Sequence, residues 1–312
     1  MSTTVRTAAA SLRVLLEHAI DYAGLFPPAS LDMRTCVSNY ARYLLHPQSW
    51  ALGRFVLPLS RLDEFVSARE SAASEPWHLS GIVSANTASS LVFDLAAADI
   101  FNRMARFARI ESVEVRVSTL DELELVCEHR PPGTAVFFEL APEKADKLLP
   151  LVSRAGGLAK LRTGGVAPES IPSVETVAAF IESCAKLAVP FKATAGLHHP
   201  LRGSHPLTYD ANSPRATMHG FLNLFTATAI AWISRGRDRS AVLASAVLAT
   251  CLADPERANW HFGEDSFTWS GNEHPVRIEL GTLREMRSNL ALSFGSCSFD
   301  EPIQEMRELD LL

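Results

Sequence analysis

Eight short runs rich in β-branched and aromatic residues punctuate the chain, and longer stretches with apolar residues at helical spacing separate them. The runs are Ala19–Leu25, Arg54–Leu59, His78–Ser84, Ser112–Ser118, Ala135–Leu140, Leu158–Thr163, Pro190–Ala195 and Leu290–Gly295. Helix-like segments include Asp63–Ser71, Leu91–Arg106, Leu120–His129, Ala145–Arg154 and Val174–Leu187. Strands alternating with helices predict a parallel sheet, and eight is a number that closes. The expected fold is α/β, a (β/α)8 TIM barrel forming a single domain over residues 1–312. The stretch from Ala195 to Leu290 is far too long for an ordinary loop. It predicts a structured insertion at about 201–288, with helices at Thr217–Ser234 and Ser240–Leu252 and an aromatic segment from Trp260 to Trp269.

Alternation within the strands assigns their faces, because a barrel strand turns successive side chains outward and inward. In the fourth run Val113, Val115 and Val117 share the helix-facing side, which sends Ser112, Glu114, Arg116 and Ser118 inward. In the sixth run Lys160 and Arg162 point inward, and in the seventh Lys192 and Thr194 do. The fifth run carries one charge, Glu139. Interior charges cost several kcal/mol each even after relaxation, so they need partners, a substrate, or both. One charged strand reads as a structural ion pair; four consecutive strands charged near their C-terminal ends read as a site. Lys160 and Lys192, on neighbouring strands about 4.8 Å apart, come close enough for one ammonium to favour loss of the other's proton. A free lysine amine is what a Schiff base with a carbonyl compound requires.

Composition narrows the classes. The 312 residues are 47% hydrophobic and 21% charged, a globular profile, and the net charge of −6 argues against nucleic acid. The basic run Arg235, Arg237, Arg239 is broken by Asp238 and reads as a solvated loop. Five scattered cysteines without a C-x-x-C suggest reduced thiols, and no signal peptide or membrane-length apolar segment is visible. These features predict a soluble, cytoplasmic protein acting on a small molecule. The apolar helix Phe221–Trp232 is either core or the interface of a homo-oligomer.

Lys160-Leu161-Arg162-Thr163-Gly164-Gly165 resembles the Schiff-base motif of the deoxyribose-phosphate aldolase family, and Lys192-Ala193-Thr194-Ala195-Gly196 resembles that family's second, amine-activating lysine. Three further segments are similar in order and placement. Ile20-Asp21-Tyr22-Ala23-Gly24-Leu25 resembles the opening strand, Val113-Glu114-Val115 the catalytic aspartate strand, and Phe294-Gly295-Ser296-Cys297-Ser298 the glycine-serine phosphate loop. Phe138-Glu139 matches a family glutamate. The resemblance implies a class I aldolase without an organic cofactor or an assigned metal. Lys160 would form the imine, Lys192 would depress its pKa, and Glu114, with Glu139, would handle protons. Asp21, Arg116, Arg162, Thr163, Gly164, Thr194, His198, His199, Gly295, Ser296 and Ser298 would bind substrate. The chain departs from the pattern at Arg162, where a small polar residue is expected, and at Glu114, one methylene longer than aspartate. It departs again at the loop Gly196-Leu197-His198-His199-Pro200, which weakens the phosphate site. A guanidinium in the pocket favours an anionic, carboxylated carbonyl substrate over deoxyribose phosphate.

Two other classes compete. His198 and His199, with His205 and His219 nearby and Glu139 completing the set, suit a metal-dependent hydrolase or isomerase, although adjacent histidines on extended backbone diverge. One histidine as a proton shuttle is the simpler role. Cys297 reads as a small packing residue, and His261 either packs or belongs to an aromatic lid over the mouth. A non-catalytic binding barrel is the third class. Its sign is an interior sealed by ion pairs with no cavity at the strand ends.

Overall fold

The computed structural model describes residues 8–69, 76–84, 87–235 and 241–312. The chain enters through α1 (Ala10–Leu16) and then alternates strands and helices. These are β1 (Ile20–Tyr22), α2 (Met33–Leu44), β2 (Leu52–Pro58), α3 (Leu62–Arg69), β3 (Trp77–Ile82), α4 (Ala88–Met104) and β4 (Ala108–Val117). There follow α5 (Leu120–His129), β5 (Ala135–Leu140), α6 (Ala145–Arg154), β6 (Leu158–Arg162), α7 (Val174–Leu187) and β7 (Phe191–Thr194). An antiparallel hairpin of β8 (Gly203–Pro206) and β9 (Arg215–Met218) comes next, then α8 (Phe221–Ser234) and α9 (Ala241–Ala253). A three-stranded antiparallel sheet of β10 (Trp260–Phe262), β11 (Ser266–Trp269) and β12 (Val276–Glu279) precedes α10 (Leu280–Asn289), β13 (Ala291–Ser296) and α11 (Asp300–Glu308).

Eight parallel strands close in the order β1-β13-β7-β6-β5-β4-β3-β2, the expected (β/α)8 barrel. The outward faces bury as the alternation requires. Val113, Val115 and Val117 on β4, Ala159 and Leu161 on β6, and Phe191 and Ala193 on β7 are all at most 2% exposed. Local chemistry sets the helix starts. Thr119 and Glu122 form a reciprocal capping box at α5, Ser173 caps α7, and α7 stops at Ala188, whose left-handed φ of 51° breaks the helical path.

The insertion holds the expected helices and aromatic segment, with two differences. Thr217 and Met218 belong to β9, where they pair with Ser204 and Gly203, so the helix begins only at Phe221. Gly220 marks that boundary: a Cβ there would lie 2.5 Å from the Leu201 backbone, which only glycine allows. Asn223 secures the first turn of α8 by accepting from the Arg202 N–H and donating to the carbonyls of Cys251 and Asp254. Second, α8 is core. Every residue from Phe221 to Trp232 is buried within the chain, which removes it as a subunit interface. Residues 236–240, with most of the basic run, and residues 70–71 at the end of the expected helix Asp63–Ser71 lie outside the described residues. Among the described residues all five cysteines are free, and no helix is long and apolar enough to cross a membrane.

Candidate active site

The strand registers bring the inward charges to one level. Lys160 on β6 pairs in register with Lys192 on β7, and Glu139 on β5 pairs with Lys160. Glu114 on β4 lies opposite Phe137, one inward position earlier on β5 than Glu139. The two lysines are therefore neighbours, as the sequence predicts, but a carboxylate stands between them. Glu114 Oε2 lies 2.8 Å from Lys160 Nζ, and its Oε1 lies 2.7 Å from Lys192 Nζ. Each ammonium has a second carboxylate: Glu139 at 2.8 Å from Lys160 and Asp21 at 2.6 Å from Lys192.

Hydroxyl and amide donors complete the cluster. Ser112 donates to Ser80, and Ser80 donates to Glu114. Ser293 and the Arg54 N–H donate to opposite oxygens of Asp21. Gly53 permits that approach, since a Cβ there would sit 2.4 Å from Asp21 Oδ1. Ser80 and Ser293 were not singled out in the sequence, although each occupies an inward position of its strand.

This arrangement reverses one expectation. Crowding by Lys192 should make Lys160 easier to deprotonate, but the lysines are interleaved with carboxylates. Burial disfavours the Lys160 ammonium, yet Glu114 and Glu139 outweigh it and raise its pKa above the ordinary lysine value. Burial likewise disfavours the Glu114 carboxylate, and the two ammoniums nevertheless hold it well below the usual carboxylate range. Lys160 is an ammonium at rest.

The cluster does not seal the barrel. A cavity of about 350 Å³ opens above it, with Glu114, Lys160 and Lys192 at its floor and Glu139, Thr194 and Gly295 along its wall. Arg116 and Arg162 line its mouth. Both are exposed, so these two charges belong to the rim and not to the barrel interior as the alternation alone suggests. Leu207 and Met218 from the β8–β9 hairpin border the cavity, as does Val166 after β6. The aromatic lid is not formed by Trp260–Trp269. Trp260, Phe267 and Trp269 are fully buried, and their sheet packs against α1, the helix that precedes β1.

Several expected binding residues do not reach this cavity. Asp21 is wholly buried beneath it and clamps Lys192. Thr163 Oγ1 donates to the carbonyls of Thr194 and Ala195, clasping the ends of β6 and β7. Gly164 permits that clasp: a Cβ would meet Gly196 Cα at 3.2 Å, where Ala195 and Gly196 turn through positive φ. Ser296 lies 3.4 Å from His198. Ser298 accepts from the Glu301 N–H at the start of α11, facing away from the cavity. Asp300 and Glu301 fill that first turn, so the start of α11 is acidic and does not favour an anion.

The histidines separate. His198 borders the cavity, with Nδ1 3.3 Å from Glu301 and 3.7 Å from Cys297 Sγ. Burial opposes its charge, but hydrogen bonds to Cys297 and Glu301 prevail and push its pKa up to about 10. Cys297 also lines the cavity, a contact missed in the sequence because the residue reads as packing. His199 turns away to Glu305, 2.6 Å from Nδ1, and stacks on His205. His219 donates to the Pro172 carbonyl. With Glu139 engaged by Lys160, the His198/His199/Glu139 metal set does not form among the described residues.

No family model matches the sequence, and no curated protein matches it. Two solved structures of FabK from Thermotoga maritima are similar in outline. For a point variant the TM-score is 0.42 at 12% identity, covering 98% of both chains. For the other the TM-score is 0.39 at 14% identity, covering 97% of this chain and 82% of that one. Similarity at this level carries no inference about chemistry, and the barrel rests on the strand pairing described above.

Proposed function

We propose that this barrel is a class I aldolase-type lyase in which Lys160 forms an imine with a small anionic carbonyl compound. The observation that carries the reading is a primary amine at the floor of a cavity, held at 2.8 Å by two carboxylates that can exchange protons with a bound substrate. Lys160 loses its proton to solvent through the open cavity, the neutral amine attacks the carbonyl carbon, the carbinolamine loses water, and an iminium forms. A carboxylate, Glu114 or Glu139, accepts the proton of the β-hydroxyl as the C–C bond breaks, and the bonding pair moves onto the iminium to give an enamine and a free aldehyde. Protonation of the enamine carbon and hydrolysis return the lysine. Lys192 shares Glu114 with Lys160, so one carboxylate fixes the positions of both ammoniums. Arg116 and Arg162 at the mouth supply two guanidiniums for a carboxylate or phosphate on the substrate.

The open cavity speaks against a purely structural ion-pair core. The reading is tested by incubating the protein with short 2-oxo acids, phosphorylated aldehydes and uncharged aldehydes, then reducing with borohydride. One covalent adduct, formed with anionic compounds and absent from Lys160→Met, is the expected outcome. An adduct that persists in that variant, or none across the panel, overturns it.

A further inference from the structure

A second cluster lies outside the lysine chamber. His199 follows β7, His205 sits on β8, and Glu305 belongs to α11, so three separate elements converge. Their donor atoms all lie within 4.8 Å of one another. Glu305 Oε1 is 2.6 Å from His199 Nδ1, and the His205 ring stacks on the His199 ring with centroids 3.4 Å apart and planes within 10°. His205 makes no hydrogen bond through either ring nitrogen among the described residues, although its ring is partly buried. A half-buried imidazole without a hydrogen bond from the described residues, stacked on a second imidazole beside a carboxylate, leaves a ring nitrogen open to an ion that all three can share.

We propose that His199, His205 and Glu305 bind one divalent transition-metal ion of the zinc class, pinning the β8–β9 hairpin to α11. Two imidazoles and one carboxylate form a borderline-soft nitrogen and oxygen donor set. That set suits zinc and its neighbours better than magnesium or calcium, which favour oxygen throughout. Three protein ligands leave a fourth position for water. The site is separate from the cavity, but it controls a wall of it, because the hairpin also places Leu207 and Met218 against the cavity. The bound ion is therefore a clamp on the roof of the barrel, and it stabilises the folded chain by mass action. The alternative arrangement is an ordinary His199–Glu305 ion pair with His205 stacked beside it.

The full chain, stripped with a chelator, is titrated with zinc chloride against a chromophoric competitor, and melting is followed in parallel. One equivalent bound with a Kd below about 1 μM, together with a rise in Tm, is expected. His205→Ala, on the hairpin, and Glu305→Gln should each weaken binding by about 10–100-fold. Cys297→Ser should leave it unchanged, which separates this site from the neighbouring His198 and Cys297. Absence of a stoichiometric zinc ion, or undiminished binding in both His205→Ala and Glu305→Gln, would overturn the proposal. The readout is metal binding alone, so it stands or falls independently of the carbonyl chemistry.

Discussion

The floor of the barrel and its rim carry charge in opposite ways. On the floor, Lys160 and Lys192 are each held between two carboxylates at 2.6–2.8 Å, and serines and a backbone N–H satisfy the carboxylates in turn. At the rim, Arg162 is 54% exposed with its nearest carboxylate 3.9 Å away, and Arg116 has no ion-pair partner among the described residues. Solvation explains the contrast. A buried ion survives only with close opposite charge, whereas a rim guanidinium stays hydrated and can exchange water for a ligand. On the proposed reading, the floor holds the protons and the reacting amine, and the rim guanidiniums bind the substrate's anionic group.

Substitutions can break this division at either end. The largest effect falls on the amine proposed to react: Lys160→Met should reduce turnover of whichever carbonyl compound is trapped by at least on the order of a thousandfold. Steady-state kinetics, with circular dichroism to verify folding, reads this out. Comparable turnover in wild type and variant would remove the floor from the chemistry.

Glu114→Gln comes next, because it leaves two buried ammoniums sharing a neutral amide. Urea unfolding should show a loss of about 3–5 kcal/mol. The pH dependence has a definite sign. Glu114 has a folded pKa below its unfolded value near 4.3, so its contribution is present above that pH and is lost as pH falls toward the folded value. Wild type should lose stability in acid below about pH 4.3 more steeply than Glu114→Gln. Parallel acid profiles would mean that Glu114 is not the bridging anion.

Arg162→Ala acts on the rim. It should raise KM for an anionic substrate roughly tenfold with kcat little changed, while stability moves by less than about 0.5 kcal/mol. A fall in kcat with unchanged KM would place Arg162 in the chemistry and erase the distinction. Smallest is Thr163→Val, which removes the clasp between β6 and β7 and should cost about 1 kcal/mol in urea unfolding, with no effect on adduct formation.

Much of the floor was legible because period-2 alternation is a local property. Val113, Val115 and Val117 declare one face, and Glu114 follows onto the other. The rim was misplaced for the same reason. Alternation assigns a face but not a depth, so Arg116 and Arg162 share the inward side with Glu114 and Lys160 yet end beyond the barrel wall. Glu114 and Glu139 are visible in the sequence as partners for the lysines, but Asp21 as the second partner of Lys192 was hidden because the two meet across barrel closure, far apart in sequence. The histidine pairing was hidden too: Glu305 reaches His199 only once α11 docks after the last strand. A helix pattern at Thr217–Ser234 gave way at its start because pairing with β8 outweighs local propensity there.

The most direct measurement is the rate of borohydride-trapped adduct formation against pH, with the modified peptide mapped by mass spectrometry, in wild type and Glu139→Gln. The adduct should map to Lys160, and its rate should climb toward alkaline pH, since the Glu114 and Glu139 carboxylates raise the amine above the ordinary lysine value. Removing one carboxylate should move that climb to lower pH. An adduct on another lysine, or a profile that ignores the loss of Glu139, would contradict the account.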